Sequence, residues 1–234
     1  MNLTLASIFK AVLQISLLAL TAGTAIAQDV VTLKVHHFLP PSSTAHAKFI
    51  VPWCDKIAKE SNNRMKCQIY PAMQLGGTPA QLFDQAKDGV ADIIWTVPGY
   101  QAGRFTVSEA FELPFIVTST EKGSRALWHY ATKNAMQEFK GVKPILFHLH
   151  DGNLLHTARK QIKSLEDFRG AKVRAATRQS TKMLTALEAT PVPMPLPQTP
   201  ESLAKGVIDG ALIPWEVSPA LKLEEIAQFH TELD

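Results

Sequence analysis

Arg174 closes a short stretch, Ala171-Lys172-Val173-Arg174, and is followed by Thr177 and a helical pattern. An arginine in that place can grip a carboxylate. Its planar guanidinium offers two parallel N–H donors, the strand ends of α/β proteins face ligand clefts, and a helix N-terminus beside it favours anions. The competing reading is a surface arginine paired with an Asp or Glu. Trp215 and Glu216 follow another apolar stretch, Ala211 to Pro214. Trp215 can stack on a ligand or pack at an edge, and Glu216 can accept a hydrogen bond from a ligand hydroxyl. His148, His150, Asp151 and His156 lie close together. Such a set can ligate zinc, making a periplasmic zinc protein or metalloenzyme the alternative function. Histidines at strand ends also line polar clefts without any metal.

Other chemistries find no footing. There is no Gly-x-Ser-x-Gly elbow, no P-loop and no Gly-x-Gly-x-x-Gly turn. A net charge of +3 on 234 residues is too balanced to argue for nucleic acid, and no basic-aromatic ladder appears. Residues 1–27 read as a secretory signal. Lys10 precedes the mostly apolar Ala11 to Leu20, and Ala25-Ile26-Ala27 has the small-x-small form of a cleavage site. The apolar run is interrupted by Gln14 and Ser16 and is short for a membrane span. In an exported protein Cys54 and Cys67 can join a helix to the following strand, or stay as two buried thiols.

These residues need a frame, and an internal repeat suggests one. Thr78-Pro79-Ala80-Gln81-Leu82 leads to Gly89-Val90-Ala91-Asp92-Ile93-Ile94-Trp95, and Thr199-Pro200-Glu201-Ser202-Leu203 leads to Gly206-Val207-Ile208-Asp209-Gly210 and on to Trp215. Each copy reads as a Thr N-cap, Pro at the first helical position, a helix, a Gly stop and a strand. Two such units suggest two lobes with a ligand cleft between them.

Around the repeats, strands are expected at Val31 to Val35, Lys66 to Tyr70, Ala91 to Val97, Lys143 to His150, Ala171 to Ala175 and Val192 to Met194. Helices are expected from Ala45 to Glu60, with Pro52 threatening a kink, from Ser119 to Phe139, from Gln179, and from Ser218 to Phe229. This alternation argues for α/β layers with a largely parallel sheet. The expected division is lobe I over 28–151 and lobe II over 152–234, each a mixed, largely parallel sheet flanked by helices.

Leu165-Glu166-Asp167-Phe168-Arg169-Gly170-Ala171-Lys172-Val173-Arg174 resembles the L-x-D-[LF]-[KR]-G-x-K-[VI]-R segment of the solute receptors of tripartite ATP-independent periplasmic (TRAP) transporters, the DctP family. Tyr70 to Gly76, Gly103-Arg104-Phe105, Phe111 to Phe115 and Gly206 to Gly210 match further family segments in order. The resemblance implies a two-lobe periplasmic binding protein, not an enzyme. Such a receptor needs no cofactor, closes on an organic acid and hands it to small and large membrane subunits driven by an ion gradient.

By the same resemblance Arg174 clamps the ligand carboxylate. A second basic group falls near Arg159-Lys160, and the segment Ile213 to Glu216 lies beside the ligand. The loop His37 to Ser43 and the turn Trp95 to Tyr100 form the other wall. The expected site is therefore Arg174, Trp215, Glu216, Tyr100, Trp95, His37, Thr177 and Arg159. Its ligand is a monocarboxylate such as a 2-oxo or 2-hydroxy acid, aromatic ones included, with dicarboxylates not set aside. Two departures stand out. The chain stops short of the family's usual C-terminus, so it is expected to be a fragment lacking C-terminal elements of both lobes. Glu188 and Pro193 stand where such receptors often carry Gly, and Glu188 in a left-handed cap would cost on the order of 1 kcal/mol.

Overall fold

The computed structural model describes residues 29–232. The expected signal segment, residues 1–27, lies outside them. The first sheet is parallel throughout, in the order β2-β1-β3, from β1 (Val31–His37), β2 (Met65–Tyr70) and β3 (Ile93–Trp95). The second is mixed, in the order β6-β5-β7-β4-β8. It holds β4 (Leu154–Thr157), β5 (Lys172–Ala175), β6 (Thr190–Pro193), β7 (Gly210–Ile213) and β8 (Phe229–Thr231). β5 runs parallel to β6 and β7, whereas β4 runs antiparallel to both β7 and β8. Pro191 and Pro193 are tolerated because β6 is an edge strand, where a missing N–H breaks no second ladder.

The stretch before β2 absorbs Pro52 without a mid-helix break. A π-helical turn, Ala45–Ile50, leads into helix α1 (Val51–Glu60), and Pro52 falls in the first turn of α1, where a missing donor is tolerated. A Cys54–Cys67 disulfide ties α1 to β2, with Cα atoms 5.6 Å apart. The first repeat unit is as expected. The Thr78 backbone N–H donates to Gln81 Oε1 at 2.8 Å, and a 3-10 turn, Pro79–Gln81, runs into α2 (Leu82–Lys87). The second unit differs at its start. The 3-10 turn Leu196–Gln198 already enters α5 (Thr199–Ala204), so Gln198 holds the cap position and Thr199 is buried inside the helix. Both units end at a left-handed glycine, Gly89 and Gly206.

Helix α3 (Thr120–Asn134) begins where Ser119 accepts from the Lys122 N–H, and α4 (Arg178–Ala186) begins at the capping box of Thr177 and Ser180. Two expected elements do not form. Lys143 to His150 is no strand: Phe147 and Leu149 do turn inward onto Phe105, Leu127 and Phe139, but the segment joins neither sheet and Ile145 stays exposed. Ser218 to Phe229 is no helix. It is broken into the 3-10 turns Pro219–Leu221 and Leu223–Glu225 around Lys222, whose φ of 54° is left-handed, and Phe229 opens β8. Pro219 and an αL residue cannot continue a helix.

Strand alternation decides which lobe each residue serves. Leu155, Val173, Ala175 and Leu212 pack with Leu184 and Phe168 inside the second lobe. The alternate residues, Ala211 and Ile213, join Phe38, Leu39 and Leu82 of the first lobe in one core. Arg174, between Val173 and Ala175, therefore points toward the first lobe.

Candidate functional site

The C-terminal ends of both sheets meet. β1 delivers Phe38 and β3 delivers Trp95 and the turn Pro98–Tyr100, while β5 delivers Arg174 and β7 leads to Trp215. Phe38 is the hinge of an aromatic wall. It stacks on Trp95 at 5.4 Å between ring centroids and meets the edge of Tyr100 at 5.4 Å. The Trp95 ring then stacks on His148 at 5.7 Å, and its N–H donates to His148 Nε2 at 2.9 Å.

Arg174 is 3% exposed. Its Nε donates to the Met194 carbonyl at 3.1 Å and its Nη1 to the Leu212 carbonyl at 3.1 Å. No ion pair among the described residues involves it. Two neutral carbonyls orient the fork and leave further N–H donors over. Burial lowers the guanidinium from its ordinary value, though Tyr100 beside it opposes the shift. An arginine stays charged regardless, so a buried cation sits here with no anion beside it. Isolated buried charges are costly, and an anion arriving at Arg174 would relieve that cost. Burial likewise raises the Tyr100 phenol, with the Arg174 charge pulling it back. Tyr100 is itself fixed by the Leu196 N–H, which donates to its hydroxyl at 3.2 Å.

Thr177 caps α4 and packs on the turn opposite. A Cβ built on Gly99 would lie 2.5 Å from the Thr177 methyl and 2.6 Å from Glu112 Oε1, so only glycine allows the lobes to approach so closely. Glu109, 3% exposed, clasps the other side of the α4 start, where one carboxylate oxygen accepts from both Arg178 and Gln179. Burial raises the Glu112 carboxyl, and its Oε2 has no partner.

The remaining expected residues separate. His37 is fully buried and both its ring nitrogens serve its own lobe: Nδ1 accepts from the Leu39 N–H at 3.2 Å, so Nε2 carries the proton toward His46 Nδ1 at 2.9 Å. A second proton has nowhere to go, and burial with the charges of His46 and His36 lowers the imidazole to about 4. Trp215 is 45% exposed and packs on the rings of His156 and His230. Glu216 is exposed, close enough for its charge to pull up the His148 imidazole that burial lowers.

Arg159 is not brought to Arg174. It follows β4, which runs antiparallel to β7, so the chain has returned to the opposite end of the sheet, beside Gly206.

The zinc alternative fails on geometry. His148 faces Trp95, the His150 ring donates to the Asp151 carbonyl at 2.6 Å, and His156 Nε2 donates to the Ile213 carbonyl at 2.9 Å while Nδ1 meets His230 at 2.7 Å. Among the described residues no three metal-ligating side chains come together. The sequence reading missed His230, Met194 and Glu112. The alternation of β8 could have flagged the first, and no local signal marks the others.

Two lobes with facing strand ends over an unpaired arginine are the architecture of a two-lobe periplasmic binding protein. The chain belongs to the DctP family, described as bacterial extracellular solute-binding protein, family 7, whose model matches residues 35–233. Among solved structures it is similar to a TRAP solute binding protein from Rhodoferax ferrireducens in complex with copurified benzoate, at 53% identity over 88% of this chain and 64% of that one, with a TM-score of 0.85. It is similar also to a marine metagenome TRAP solute binding protein specific for aromatic acid ligands, in complex with 3-hydroxybenzoate (49% identity, 86% and 63% coverage, TM-score 0.84). A third, from Bordetella bronchiseptica with bound mandelate, shares 30% identity over 86% of this chain and 64% of that one, with a TM-score of 0.79. The chain thus spans a little under two thirds of each of these proteins.

Proposed function

We propose that the protein is the extracytoplasmic solute receptor of a TRAP-type uptake system and that its solute is a monocarboxylate with a flat apolar body, a benzoate-like acid in particular. The observation that carries this is Arg174, a buried guanidinium oriented by the Met194 and Leu212 carbonyls with no carboxylate beside it. The wall of Phe38, Trp95 and Tyr100 suits an aromatic ring. Trp215 and Glu216 sit at the mouth, and Thr177 holds the α4 start against Gly99. His37 shapes the wall without reaching the ligand. Arg159 takes no part in this site. The lobes divide at 151/152, since the first sheet is complete before it and the second begins at Leu154. Residues 1–27 direct export to the periplasm, where small and large membrane subunits receive the loaded receptor. The benzoate, 3-hydroxybenzoate and mandelate bound by the related proteins support the ligand class.

Thermal melts with benzoate, 3-hydroxybenzoate and mandelate test this reading. An acid at a hundred times its dissociation constant adds about 2.7 kcal/mol of stability, and Arg174→Ala should remove that gain. A cooperative melt that none of the acids moves would sink the reading.

A further inference from the structure

Of the ion pairs among the described residues, only Glu109–Arg178 crosses from the first lobe to the second. Surface pairs contribute little, but the acidic side of this one is not at the surface. Glu109 is 3% exposed, while the Arg178 side chain is 40% exposed. Every hydrogen bond that the Glu109 carboxylate makes among the described residues also crosses. Its Oε2 accepts from Arg178 Nε at 3.1 Å, from Arg178 Nη2, and from Gln179 Nε2 at 3.0 Å. A buried carboxylate gives up its water at a cost, and here the groups that replace the water all belong to the other lobe. With the lobes apart, Glu109 has only solvent to turn to.

The first lobe holds this acid on a fixed arm. Glu109 lies in the 3-10 turn Ser108–Glu112. Glu138 ties that turn down: its Oε1 accepts from the Val107 N–H at 2.6 Å, and its Oε2 from the Ser108 N–H at 3.0 Å and the Ser108 hydroxyl at 2.8 Å. Phe105 and Phe111, on either side of Glu109 in the chain, pack into the core with Leu127 and Phe139. On the second lobe the receiving residues are the first two of α4, directly after the Thr177 cap. A helix start favours an anion on its own account. The acceptor of the clasp is thus the same piece of chain that carries Arg174.

We propose that Glu109 is a positioning residue: it latches the start of α4 to the first lobe and so sets how much of the empty receptor is closed. This rests on the cleft reading above, since closure around an acid at Arg174 is what the latch favours. Apparent affinity scales with the fraction of the protein already competent to hold ligand. The latch therefore tightens binding of every acid by one common factor without touching any of them.

Pulsed EPR with spin labels at Lys59→Cys and Lys205→Cys, one exposed position on each lobe, reads closure without a ligand. The native cysteines are bridged and take no label. Glu109→Gln and, separately, Arg178→Gln should lengthen and broaden the interlobe distance, and the double variant should go no further than either. Calorimetry should then give the same loss, about tenfold, for benzoate, 3-hydroxybenzoate and mandelate. If Glu109→Gln fails to fold, Arg178→Gln reads the latch from its more exposed side. An interlobe distance that the substitutions leave unchanged overturns the proposal. So do unequal losses across the three acids, which would put Glu109 or Arg178 in contact with the ligand. If none of the acids binds the unsubstituted receptor, the cleft reading fails and the distance still decides the latch.

Discussion

Arg174 and Arg159 belong to one lobe and sit at opposite ends of one sheet, and the two ends are built differently. At the Arg174 end the first lobe closes over the strand termini, so the cation is buried, oriented by carbonyls and walled by aromatics. At the Arg159 end nothing from the first lobe lines the wall, and the cation stands exposed on the rim of an open cavity. Burial is what separates them. A guanidinium in water gains little from a carboxylate, while one stripped of water and left without a counterion gains much from an arriving anion. The carboxylate site should lie where the desolvation is.

The largest expected effect follows from that contrast. Arg174→Ala should weaken binding of a benzoate-like acid in the cleft by a hundredfold or more, about 3 kcal/mol, the usual scale for removing one partner of a buried charge pair. Arg159→Ala should change affinity at the cleft by less than about twofold. Titration calorimetry of both variants checks this. Equal losses would mean that the two ends are not separate.

Acid should strike the cleft end first. His37 is lowered to about 4 by burial and by the neighbouring His46 and His36 charges, below its ordinary 6.5. The unfolded chain therefore takes up a proton below pH 6.5 that the folded chain refuses until about pH 4. The stability from neutral His37 is complete above 6.5 and is lost as pH falls toward 4, a loss of about 3 kcal/mol. Burial lowers His36, His148 and His156 as well, with the same sign. Urea midpoints at pH 7.5 and 4.5 should show the loss, and His37→Gln should reduce it. An unchanged pH dependence in that variant would place the acid sensitivity elsewhere.

Much of this frame was legible in the residues. The capping pattern at Thr78, the helix start at Ser119 and the strand carrying Arg174 all depend on neighbours in sequence, and all form. What failed depends on distant partners. Phe147 and Leu149 do turn inward as their alternation requires, but a strand also needs a ladder, and Lys143 to His150 finds none in either sheet. Arg159 failed through direction. β4 is not among the strands expected from the sequence, and nothing local announces its antiparallel run, which carries the next residues away from the cleft. The unpaired state of Arg174 was equally hidden, because its carbonyl partners, Met194 and Leu212, lie on other elements.

The Cys54–Cys67 disulfide supplies a control that touches neither end of the second sheet. It closes a separation of 13 residues in the first lobe, and a loop of that size contributes about 3 kcal/mol through the unfolded chain. Replacing both cysteines by alanine should lower stability by about that amount in denaturant melts. Affinity at the cleft should hold within about twofold, since the folded contacts around Arg174 do not involve the bridge. A large affinity loss would show that the aromatic wall depends on how α1 is held.

The smallest effect belongs to the remote end. Glu188 has a φ of 60°, a conformation glycine adopts freely and a glutamate does not. Its carbonyl accepts from the Gly170 N–H at 2.9 Å, which fixes the loop entering β5, and its side chain pairs with Arg169 on the cavity rim. Glu188→Gly removes strain of about 1 kcal/mol and gives up a surface ion pair worth only a few tenths. A net gain of about 0.5 kcal/mol is expected by chemical denaturation. Affinity at Arg174, at the other end of the sheet, should stay fixed. A loss of stability instead would mean that the Arg169–Glu188 pair outweighs the backbone strain, and that the rim is set by its charges more than by the turn beneath them.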